Sequence, residues 1–384
     1  MSRRLFILGS TGSIGCNAVE VIQHLRAQDG EGSWPVVGLA AGTNSILLTE
    51  QAQLLGVEAV SLTGECDIDF PQRYTSADEL LQQHAKKGDL VLVAIVGFAG
   101  ISPTLTAIEC GCDIALANKE SLVAGGHLVI DAIKNAGVHL LPVDSEHSAI
   151  FQALSGQPTK EIAKLTLTAS GGSLRELPLD QLHCASVEQV LNHPTWNMGP
   201  KVTVDSASLM NKALELIEAH WLFGVDGDRL EAMIHPQSIV HGMIEFIDGS
   251  VIAQLSQPDM KCPIQYALTW PERVEGCSRK FDWSKHPKLE FEQIDLERYP
   301  AIQLAYEVIS QGGTAGAVFN AANEVVVDAF LQHSLPFGSM VAIVEEVLGN
   351  MIIVDHVNFE SVVEADQEAR SRTVALIASQ KVKT

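Results

Sequence analysis

Two acidic residues follow an apolar run in the segment Asp144-Ser-Glu146-His147. The run from His139 to Val143 is typical of a strand. If that strand continued through the acids, its two-residue period would place Asp144 and Glu146 on the same side. Two carboxylates so placed repel each other unless a cation joins them, and oxygen ligands suit hard divalent ions such as Mg²⁺ or Mn²⁺. The segment therefore suggests a metal site, although a solvated acidic turn would have the same composition.

The stretch from Lys201 to Glu218 carries a second group of polar side chains. Its first five residues, 201–205, alternate like a strand, and a helix-like pattern follows. At roughly 100° per residue, one arc of that helix presents an amide, a cation and an acid together. These residues are Asn211, Lys212 and Glu215. The hydroxyls of Ser206 and Ser208 near the helix start, joined by the lysine, would suit a phosphate group. A helix cap followed by a solvated lysine–glutamate pair is the alternative.

Two further segments have compositions that suit an anionic substrate. Ser170-Gly171-Gly172 follows a strand-like stretch, so its backbone N–H groups could be directed at an anion. The segment 193–199 combines His193, Trp196 and Met198 with two residues of restricted or unusual conformation, proline and glycine. A loop of this composition could close over a substrate and exclude water. A simple turn and a partly buried structural loop are the respective alternatives.

A glycine-rich turn near the N-terminus points to a nucleotide. Strand-like residues 5–8 lead into Gly9-Ser-Thr-Gly12-Ser-Ile-Gly15 and then into a helix-like run, 16–25. Glycines at such a junction let the backbone approach a pyrophosphate, whose charge is stabilised at the helix N-terminus. The spacing is GxxGxxG rather than GxGxxG, and a tight turn without a ligand is the alternative.

The end of the second predicted strand bears on which nucleotide would bind. NAD sites usually carry Asp or Glu there to accept hydrogen bonds from the ribose. Here the segment reads Ala40-Ala-Gly42-Thr43-Asn44-Ser45 and contains no acid that would repel a 2′-phosphate. NADP is therefore favoured over NAD, and the lack of a basic residue keeps the preference modest.

The organisation of the chain indicates an α/β protein. Up to about residue 140, short apolar runs alternate with longer mixed segments, which is typical of βα units and a parallel sheet. The strands expected there are residues 5–8, 36–40, 59–62, 90–96, 114–117 and 138–142. Later strands are expected at 165–168, 201–205 and 250–255, and later helices at 316–331, 337–348 and from about 359. The predicted parts are a Rossmann-like parallel-sheet domain at 1–144, an α+β catalytic domain at 145–270, a linker at 271–297 and a C-terminal helical bundle at 298–384.

Charge and cysteine content exclude several classes of protein. The 384 residues include 25 basic and 47 acidic side chains, giving a formal net charge of −22 that would repel nucleic acid and anionic membranes. No apolar run is long enough to span a membrane. The seven cysteines form no CxxC pair and are expected to be reduced. A cytoplasmic enzyme is expected, and a plastid protein without its transit peptide would look the same.

Seven motifs in series resemble one enzyme family over essentially the whole chain. They are GSTGSIG at 9–15, ANKESLV at 117–123, PVDSEH at 142–147, LTASGG at 167–172, HPTWNMG at 193–199, VDSASLMNKALE at 204–215 and IHPQSIVHG at 234–242. Together they resemble the 1-deoxy-D-xylulose 5-phosphate reductoisomerase family. The resemblance implies an NADPH-binding N-terminal domain, a catalytic domain with a closing flap, a helical C-terminal domain and a homodimer.

The resemblance also implies roles for individual residues. The implied metal ligands are Asp144, Glu146 and Glu215. The implied substrate-binding residues are Lys119, Ser145, Glu146, Ser170, His193, Ser206, Asn211, Lys212 and Glu215, with Lys119 and Glu146 as catalytic groups. The implied NADPH-binding residues are Thr11, Gly12, Ser13, Ile14, Gly42, Thr43, Asn44, Asn118, Glu120 and Gly199. Trp196 and Met198 would form the flap.

The implied reaction isomerises 1-deoxy-D-xylulose 5-phosphate to a branched aldehyde and reduces it with NADPH to 2-C-methyl-D-erythritol 4-phosphate. This is a step of non-mevalonate isoprenoid precursor synthesis, and the implied metal is Mg²⁺, Mn²⁺ or Co²⁺. Family members often carry Lys or Arg at the position of Thr43, so this chain departs from the pattern where NADP is distinguished. Two other classes fit the residues: a metal-dependent sugar-phosphate isomerase or lyase, and a nucleotide-sensing protein without catalysis.

Overall fold

The computed structural model describes residues 3–64, 70–196 and 198–381. These fall into two compact units. The first combines the described residues of Met1–Ser121, Val129–Ser148 and Asp259–Lys280, and the second those of Leu122–Leu128, Ala149–Pro258 and Phe281–Thr384. The division into domains at 1–144, 145–270 and 298–384 with a linker at 271–297 stays a prediction.

Twelve strands and fourteen helices are present in the described residues. The strands are β1 Leu5–Leu8, β2 Val36–Ala41, β3 Ala59–Leu62, β4 Gln72–Tyr74, β5 Leu90–Val93, β6 Asp113–Leu116, β7 Leu140–Pro142, β8 Ile162–Ala169, β9 Leu230–Ile234, β10 Val240–Phe246, β11 Val251–Leu255 and β12 Glu292–Gln293. The helices are α1 Ser13–Asp29, α2 Ser45–Leu55, α3 Ala77–His84, α4 Ile101–Glu109, α5 Glu120–Ala136, α6 Ser145–Leu154, α7 Val187–Leu191, α8 Pro200–Ala207, α9 Met210–Phe223, α10 Lys261–Thr269, α11 Ala301–Gln311, α12 Ala315–Leu331, α13 Met340–Asn350 and α14 Phe359–Lys381.

The first unit is built on a seven-stranded parallel sheet in the order β4-β3-β2-β1-β5-β6-β7. The strands β1, β3, β5 and β6 are buried along their whole length, because helices cover both faces of a parallel sheet, and they therefore read as continuous apolar runs. The order reverses at β1, which lies between β2 and β5. In sheets of this kind ligands bind outside the carboxyl ends of the strands at the reversal. The predicted α/β class with a Rossmann-like N-terminal sheet is confirmed.

The first unit also contains a segment from much later in the chain, residues 259–280. Helix α10 packs against α1 and against the ends of β6 and β7. Its buried residues include Ile264 and Leu268. The Lys261 Nζ lies 2.6 Å from a carboxylate oxygen of Glu20, and the His24 Nε2 lies 3.0 Å from the carbonyl oxygen of Glu275. Residues 259–280 therefore complete the first unit.

The second unit contains a five-stranded mixed sheet in the order β11-β10-β8-β9-β12. Only β8 and β9 are parallel; the other pairs are antiparallel. The C-terminal helices α11 to α14 belong to this unit, and α12 packs against the other three. The predicted helices at 316–331, 337–348 and from about 359 correspond to α12, α13 and α14.

Two local predictions were wrong. Residues 201–205 lie in α8 rather than in a strand, because Gly199 caps the helix and Pro200, whose fixed φ suits a first helical position, starts it. The strand before the acids ends at Pro142, so the two-residue period does not relate Asp144 to Glu146. Instead, the carbonyl oxygen of Asp144 accepts from the Ser148 N–H at the start of α6.

None of the helices in the described ranges is both long and apolar enough to cross a membrane. The described cysteines form no disulfide with one another. Cys66, one of the cysteines predicted to be reduced, lies outside the described residues, as does Asn197 of the motif HPTWNMG.

Candidate active site

The loop after β1 is tightly packed through two glycines. Gly9 has φ of +86°, and a Cβ there would lie 2.4 Å from the carbonyl oxygen of Ala94. A Cβ at Gly15 would lie 2.3 Å from the carbonyl oxygen of Gly9. Gly12 caps α1 without a side-chain hydrogen bond, and its N–H donates to Gly9 over 3.0 Å. The loop thus brings the first turn of α1 to the carboxyl end of β1 without a side-chain hydrogen bond to cap the helix, an arrangement that suits a pyrophosphate.

The predicted nucleotide contacts at the starts of α1 and α2 lie at the same edge of the sheet. Thr11, Ser13 and Ile14 are exposed or half-buried around the helix start. After β2, Gly42, Thr43 and Asn44 are exposed, and the Asn44 Oδ1 accepts from the Leu47 N–H over 3.1 Å to cap α2. No acid stands at this position.

Asn118 is buried, and its side chain makes hydrogen bonds within the protein. Its side chain is 1% exposed, and its Nδ2 donates to the carbonyl oxygens of Ile95 (2.8 Å) and Gly97 (2.9 Å) and to the Glu120 Oε2 (2.9 Å). The Asn118 Oδ1 accepts from the backbone N–H of Ser121. Asn118 therefore ties the loop after β5 to the start of α5. Sequence reasoning missed this tie, because residues 95–97 carry no polar side chain.

A lysine and an aspartate meet at the ends of two adjacent strands, β6 and β7. The Lys119 Nζ lies 2.9 Å from the Asp144 Oδ2, and both side chains are largely buried. Burial alone would raise the pKa of Asp144, but the charge of Lys119 and the nearby His147 outweigh it and hold that pKa well below its usual range. The Asp144 carboxylate is therefore ionised at neutral pH, as a metal ligand must be. His147, fully buried with its Nδ1 3.6 Å from the same oxygen, was not predicted as a site residue.

Ser145 and Glu146 begin α6 beside this pair. The Ser145 Oγ donates to the Glu146 Oε2 over 2.6 Å. Glu146 lies in the first turn of α6, where the helix dipole stabilises a negative charge. Lys119, Asp144 and Glu146 thus place one cation and two carboxylates in the first unit.

In the second unit, His193 and Ser170 form a directional pair. The His193 Nδ1 accepts from the backbone N–H groups of Thr195 (3.1 Å) and Trp196 (2.9 Å). The ring proton must then reside on Nε2, which lies 3.0 Å from the Ser170 Oγ and donates to it. Burial lowers the pKa of His193, which agrees with a neutral ring. Because the Ser170 Oγ also accepts from the Gly172 N–H over 3.2 Å, its own proton can be donated to a substrate oxygen.

The double glycine brings this serine next to a second one. A Cβ at Gly172 would lie 2.5 Å from the carbonyl oxygen of Ser206, so only glycine permits the approach. Ser206 is the next to last residue of α8. That helix is anchored by Asp205, which is fully buried and lies 3.1 Å from the Lys201 Nζ and 2.9 Å from the Asn323 Nδ2. Sequence reasoning missed this anchor, although a fully buried acid within a polar motif is a signal for it.

The three residues predicted to share an arc of α9 do contact one another. Glu215 is 1% exposed, and its two carboxylate oxygens accept from the Asn211 Nδ2 and from the Lys212 Nζ. Lys212 is also buried, at 3% exposure. The apolar side of the helix is packed, and the polar side is buried too. A buried carboxylate held by a cation and an amide is a strong candidate ligand for a metal or a polyol.

The flap segment lies half-buried before α8. The ring of Trp196 is 6.2 Å from that of His241, a residue of the IHPQSIVHG motif. Met198 is also half-buried, and Gly199 caps α8 with its carbonyl oxygen accepting from the Thr203 Oγ1 over 3.0 Å.

The predicted residues are thus divided between the units. The nucleotide residues lie in the first unit except Gly199. The metal residues Asp144 and Glu146 lie in the first unit, and Glu215 lies in the second with Ser170, His193 and Ser206. The first unit offers a nucleotide loop and an ionised carboxylate, and the second offers hydroxyl, imidazole, amide and ammonium donors for an anion.

Comparisons with known proteins agree along the chain. Three family models match: 1-deoxy-D-xylulose 5-phosphate reductoisomerase at residues 5–126, the C-terminal domain of that enzyme at 140–223, and the DXP reductoisomerase C-terminal domain at 255–372. The 1-deoxy-D-xylulose 5-phosphate reductoisomerase of Pelotomaculum thermopropionicum is 45% identical over 388 residues, which cover 98% of both chains. That of Pelodictyon phaeoclathratiforme is 45% identical over 387 residues, covering 98% of this chain and 100% of its own.

Solved structures give the same result. The Zymomonas mobilis reductoisomerase in complex with NADPH is 37% identical with a TM-score of 0.88, covering 98% of this chain and 99% of its own. A DOX-P reductoisomerase in complex with NADPH, fosmidomycin and magnesium is 33% identical with a TM-score of 0.90, covering 99% of each chain. The chain belongs to the 1-deoxy-D-xylulose 5-phosphate reductoisomerase family.

Proposed function

We propose that the chain converts 1-deoxy-D-xylulose 5-phosphate to 2-C-methyl-D-erythritol 4-phosphate with NADPH and a divalent metal ion. The observation that carries this function is the 45% identity to a reductoisomerase over 98% of both chains. The reaction combines an isomerisation with a reduction and is a step of non-mevalonate isoprenoid precursor synthesis.

NADPH binds at the carboxyl end of the parallel sheet in this proposal. The pyrophosphate lies against the turn formed by Thr11, Gly12, Ser13 and Ile14, and the 2′-phosphate lies near Gly42, Thr43 and Asn44. The exposed residues that follow β1 and β2 support this placement, because they lie beside the reversal of strand order. Asn118 and Glu120 shape the neighbouring loop, and Gly199 contributes from the flap. When bound, NADPH supplies the hydride for the reduction.

Asp144, Glu146 and Glu215 supply the metal ligands. The donor set fits a hard dication, because all three are carboxylates and the Asp144 pKa lies well below its usual range. Magnesium is named with a solved relative; Mn²⁺ and Co²⁺ are further candidates. When bound, the ion supplies Lewis-acid stabilisation of negative charge on substrate oxygens.

The chain's own donors hold the phosphate of the substrate. The donors form a local cluster that consists of Ser170, Ser206, Asn211 and Lys212. His193 acts through Ser170. Such a cluster is needed because the net charge of −22 opposes an anionic ligand. A relative that binds the phosphonate fosmidomycin supports an anion site of this kind. Binding the phosphate far from the reacting carbons positions the substrate.

Lys119 and Glu146 act at the reacting end with Ser145. Lys119 holds a proton beside Asp144, so it is placed to donate to an oxygen that gains negative charge. Glu146 is placed to accept a proton from a substrate hydroxyl. Trp196 and Met198 close over the substrate and exclude water from the aldehyde.

The same proposal includes a homodimer in the cytoplasm. Strand β11 forms an edge of the mixed sheet, and its Val251 and Ile252 are 59% and 46% exposed. An exposed apolar edge strand is a pairing surface for a second copy. The lack of disulfides among the described cysteines suits a reducing compartment. Light scattering of the purified chain tests the dimer.

Loss of NADPH absorbance on addition of 1-deoxy-D-xylulose 5-phosphate tests the function. We expect oxidation that stops with a chelator and returns with Mg²⁺ or Mn²⁺. A metal-dependent isomerase or lyase would consume the substrate without oxidising NADPH, and a nucleotide sensor would bind NADPH without needing metal. Either result would refute the proposal.

A further inference from the structure

A buried tyrosine holds one peptide unit of the substrate loop, here defined as residues 170–172. The Tyr299 hydroxyl donates to the carbonyl oxygen of Gly171 over 2.9 Å, and the ring is 4% exposed. Burial raises the pKa of Tyr299 to about 12, so the hydroxyl keeps the proton that it donates. Tyr299 lies 128 residues further along the chain, just before α11.

That peptide unit also carries the N–H that points at Ser170. A peptide is planar, so the carbonyl of Gly171 and the N–H of Gly172 rotate together. The Gly172 N–H donates to the Ser170 Oγ over 3.2 Å. A fixed carbonyl therefore fixes the donor that, with His193, leaves the Ser170 proton free for the substrate.

The backbone on both sides of this peptide would otherwise allow it to turn. Gly171 and Gly172 have φ of +87° and +72°, and glycine has several accessible conformations of similar energy. Nearby backbone carbonyls are held in the same way. The Arg175 Nη1 donates to the carbonyl oxygen of Ser170 over 2.8 Å, and the Arg298 Nη2 donates to the carbonyl oxygen of Leu177 over 2.8 Å. The loop is thus fastened by side chains rather than by a regular ladder.

We propose that Tyr299 is a positioning residue for the substrate: it locks the Gly171–Gly172 peptide and thereby orients the Ser170 hydroxyl toward the phosphate. The inference rests on the proposed role of Ser170. It assigns a function to a residue outside the motifs that identify the family, and Arg175 supports the adjoining peptide.

The test compares Tyr299→Phe with Tyr306→Phe. The Tyr306 hydroxyl donates to the carbonyl oxygen of Leu230 over 3.1 Å, so the control removes the same type of bond in the same unit away from the substrate loop. Loss of one hydrogen bond of ordinary strength predicts a three- to tenfold rise, approximately, in KM for 1-deoxy-D-xylulose 5-phosphate in Tyr299→Phe. The affinity for fosmidomycin should fall by a similar factor, while kcat and the KM for NADPH stay near the wild-type values.

Melting temperatures of both variants separate positioning from general loss of stability. Equal melting temperatures with a KM effect confined to Tyr299→Phe support the lock. An unchanged substrate KM in Tyr299→Phe, or an equal rise in Tyr306→Phe, overturns it. If Tyr299→Phe does not fold, Arg175→Met gives the decisive KM, because it frees the preceding peptide. Wild type that does not oxidise NADPH at all would instead refute the proposed function.

Discussion

Replacing Gly15 with alanine should weaken NADPH binding about 100-fold, whereas replacing Gly12 should weaken it far less. A Cβ at Gly15 would lie 2.3 to 2.4 Å from backbone atoms of Gly9 and Ser10. A Cβ at Gly12 would meet only the carbonyl oxygen of Gly9, at 3.3 Å. The two substitutions add the same methyl group to the same loop, so they separate packing from ligand contact.

The expected magnitudes follow from these distances. Relief of the Gly15 clash requires α1 to move away from the loop by about 1 Å, and overpacking of this kind costs about 1–3 kcal/mol. A melting temperature lower by about 5 °C corresponds to that cost. A displacement of about 1 Å at a binding loop can weaken function about 100-fold. For Gly12→Ala we expect a nearly unchanged melting temperature and a loss of NADPH affinity of about tenfold, because the methyl enters the space proposed for the pyrophosphate.

Fluorescence titration with NADPH and thermal melts measure both effects. Gly32→Ala is the matched control, because a Cβ there meets nothing within 4 Å and its φ is not positive. A Gly15→Ala protein with wild-type melting temperature and wild-type NADPH affinity would refute the packing argument. Wild-type affinity in Gly12→Ala would refute the placement of the pyrophosphate.

Three further predictions concern the second unit. Glu215→Gln should abolish turnover and leave NADPH affinity nearly intact, since the residue is proposed as a metal ligand; substantial turnover in a kinetic assay would contradict this. Lys212→Met should raise the substrate KM about tenfold or more and the NADPH KM little, because a charged hydrogen bond to phosphate is lost; equal effects would argue against a phosphate role. Burial lowers the pKa of His193 below 6.5 in the folded chain, so the unfolded chain binds a proton at a higher pH than the folded chain does. The free energy of unfolding therefore decreases as the pH falls through 6.5 and below. The melting temperature of wild type should therefore fall more steeply than that of His193→Gln between about pH 7 and pH 5, and parallel curves would contradict the lowered pKa.

The parallel sheet was predictable because its strands are buried on both faces. Leu5–Leu8 and Leu90–Val93 read as continuous apolar runs for that reason. The edge strand Gln72–Tyr74 was missed, since it is largely exposed and polar. The polar–apolar alternation in 201–205 wrongly predicted a strand. These residues lie in a helix whose residues from Thr203 to Ala207 are all buried, so the alternation does not separate a buried face from an exposed one.

The site was predictable as far as it depends on neighbouring sequence or on strand order. Lys119 and Asp144 follow adjacent parallel strands, whose carboxyl ends meet at one edge, so their contact could be expected from the topology. The link between Tyr299 and Gly171 spans 128 residues and uses a backbone carbonyl as acceptor. No periodicity or motif marks a carbonyl, so such a contact emerges only from coordinates.

Helix α10 is synthesised long after the parallel sheet of its unit, and this order affects folding during synthesis. The helix contributes Pro263, Ile264, Ala267 and Leu268 to buried surface beside α1. A chain emerging from the ribosome has made all seven parallel strands by Pro142, yet it lacks this covering until residue 280 has been synthesised. During that interval an apolar surface stays open to solvent and to other nascent chains. We therefore expect fragments that stop near residue 148 to aggregate, and fusing residues 259–280 to them through a short linker to restore solubility.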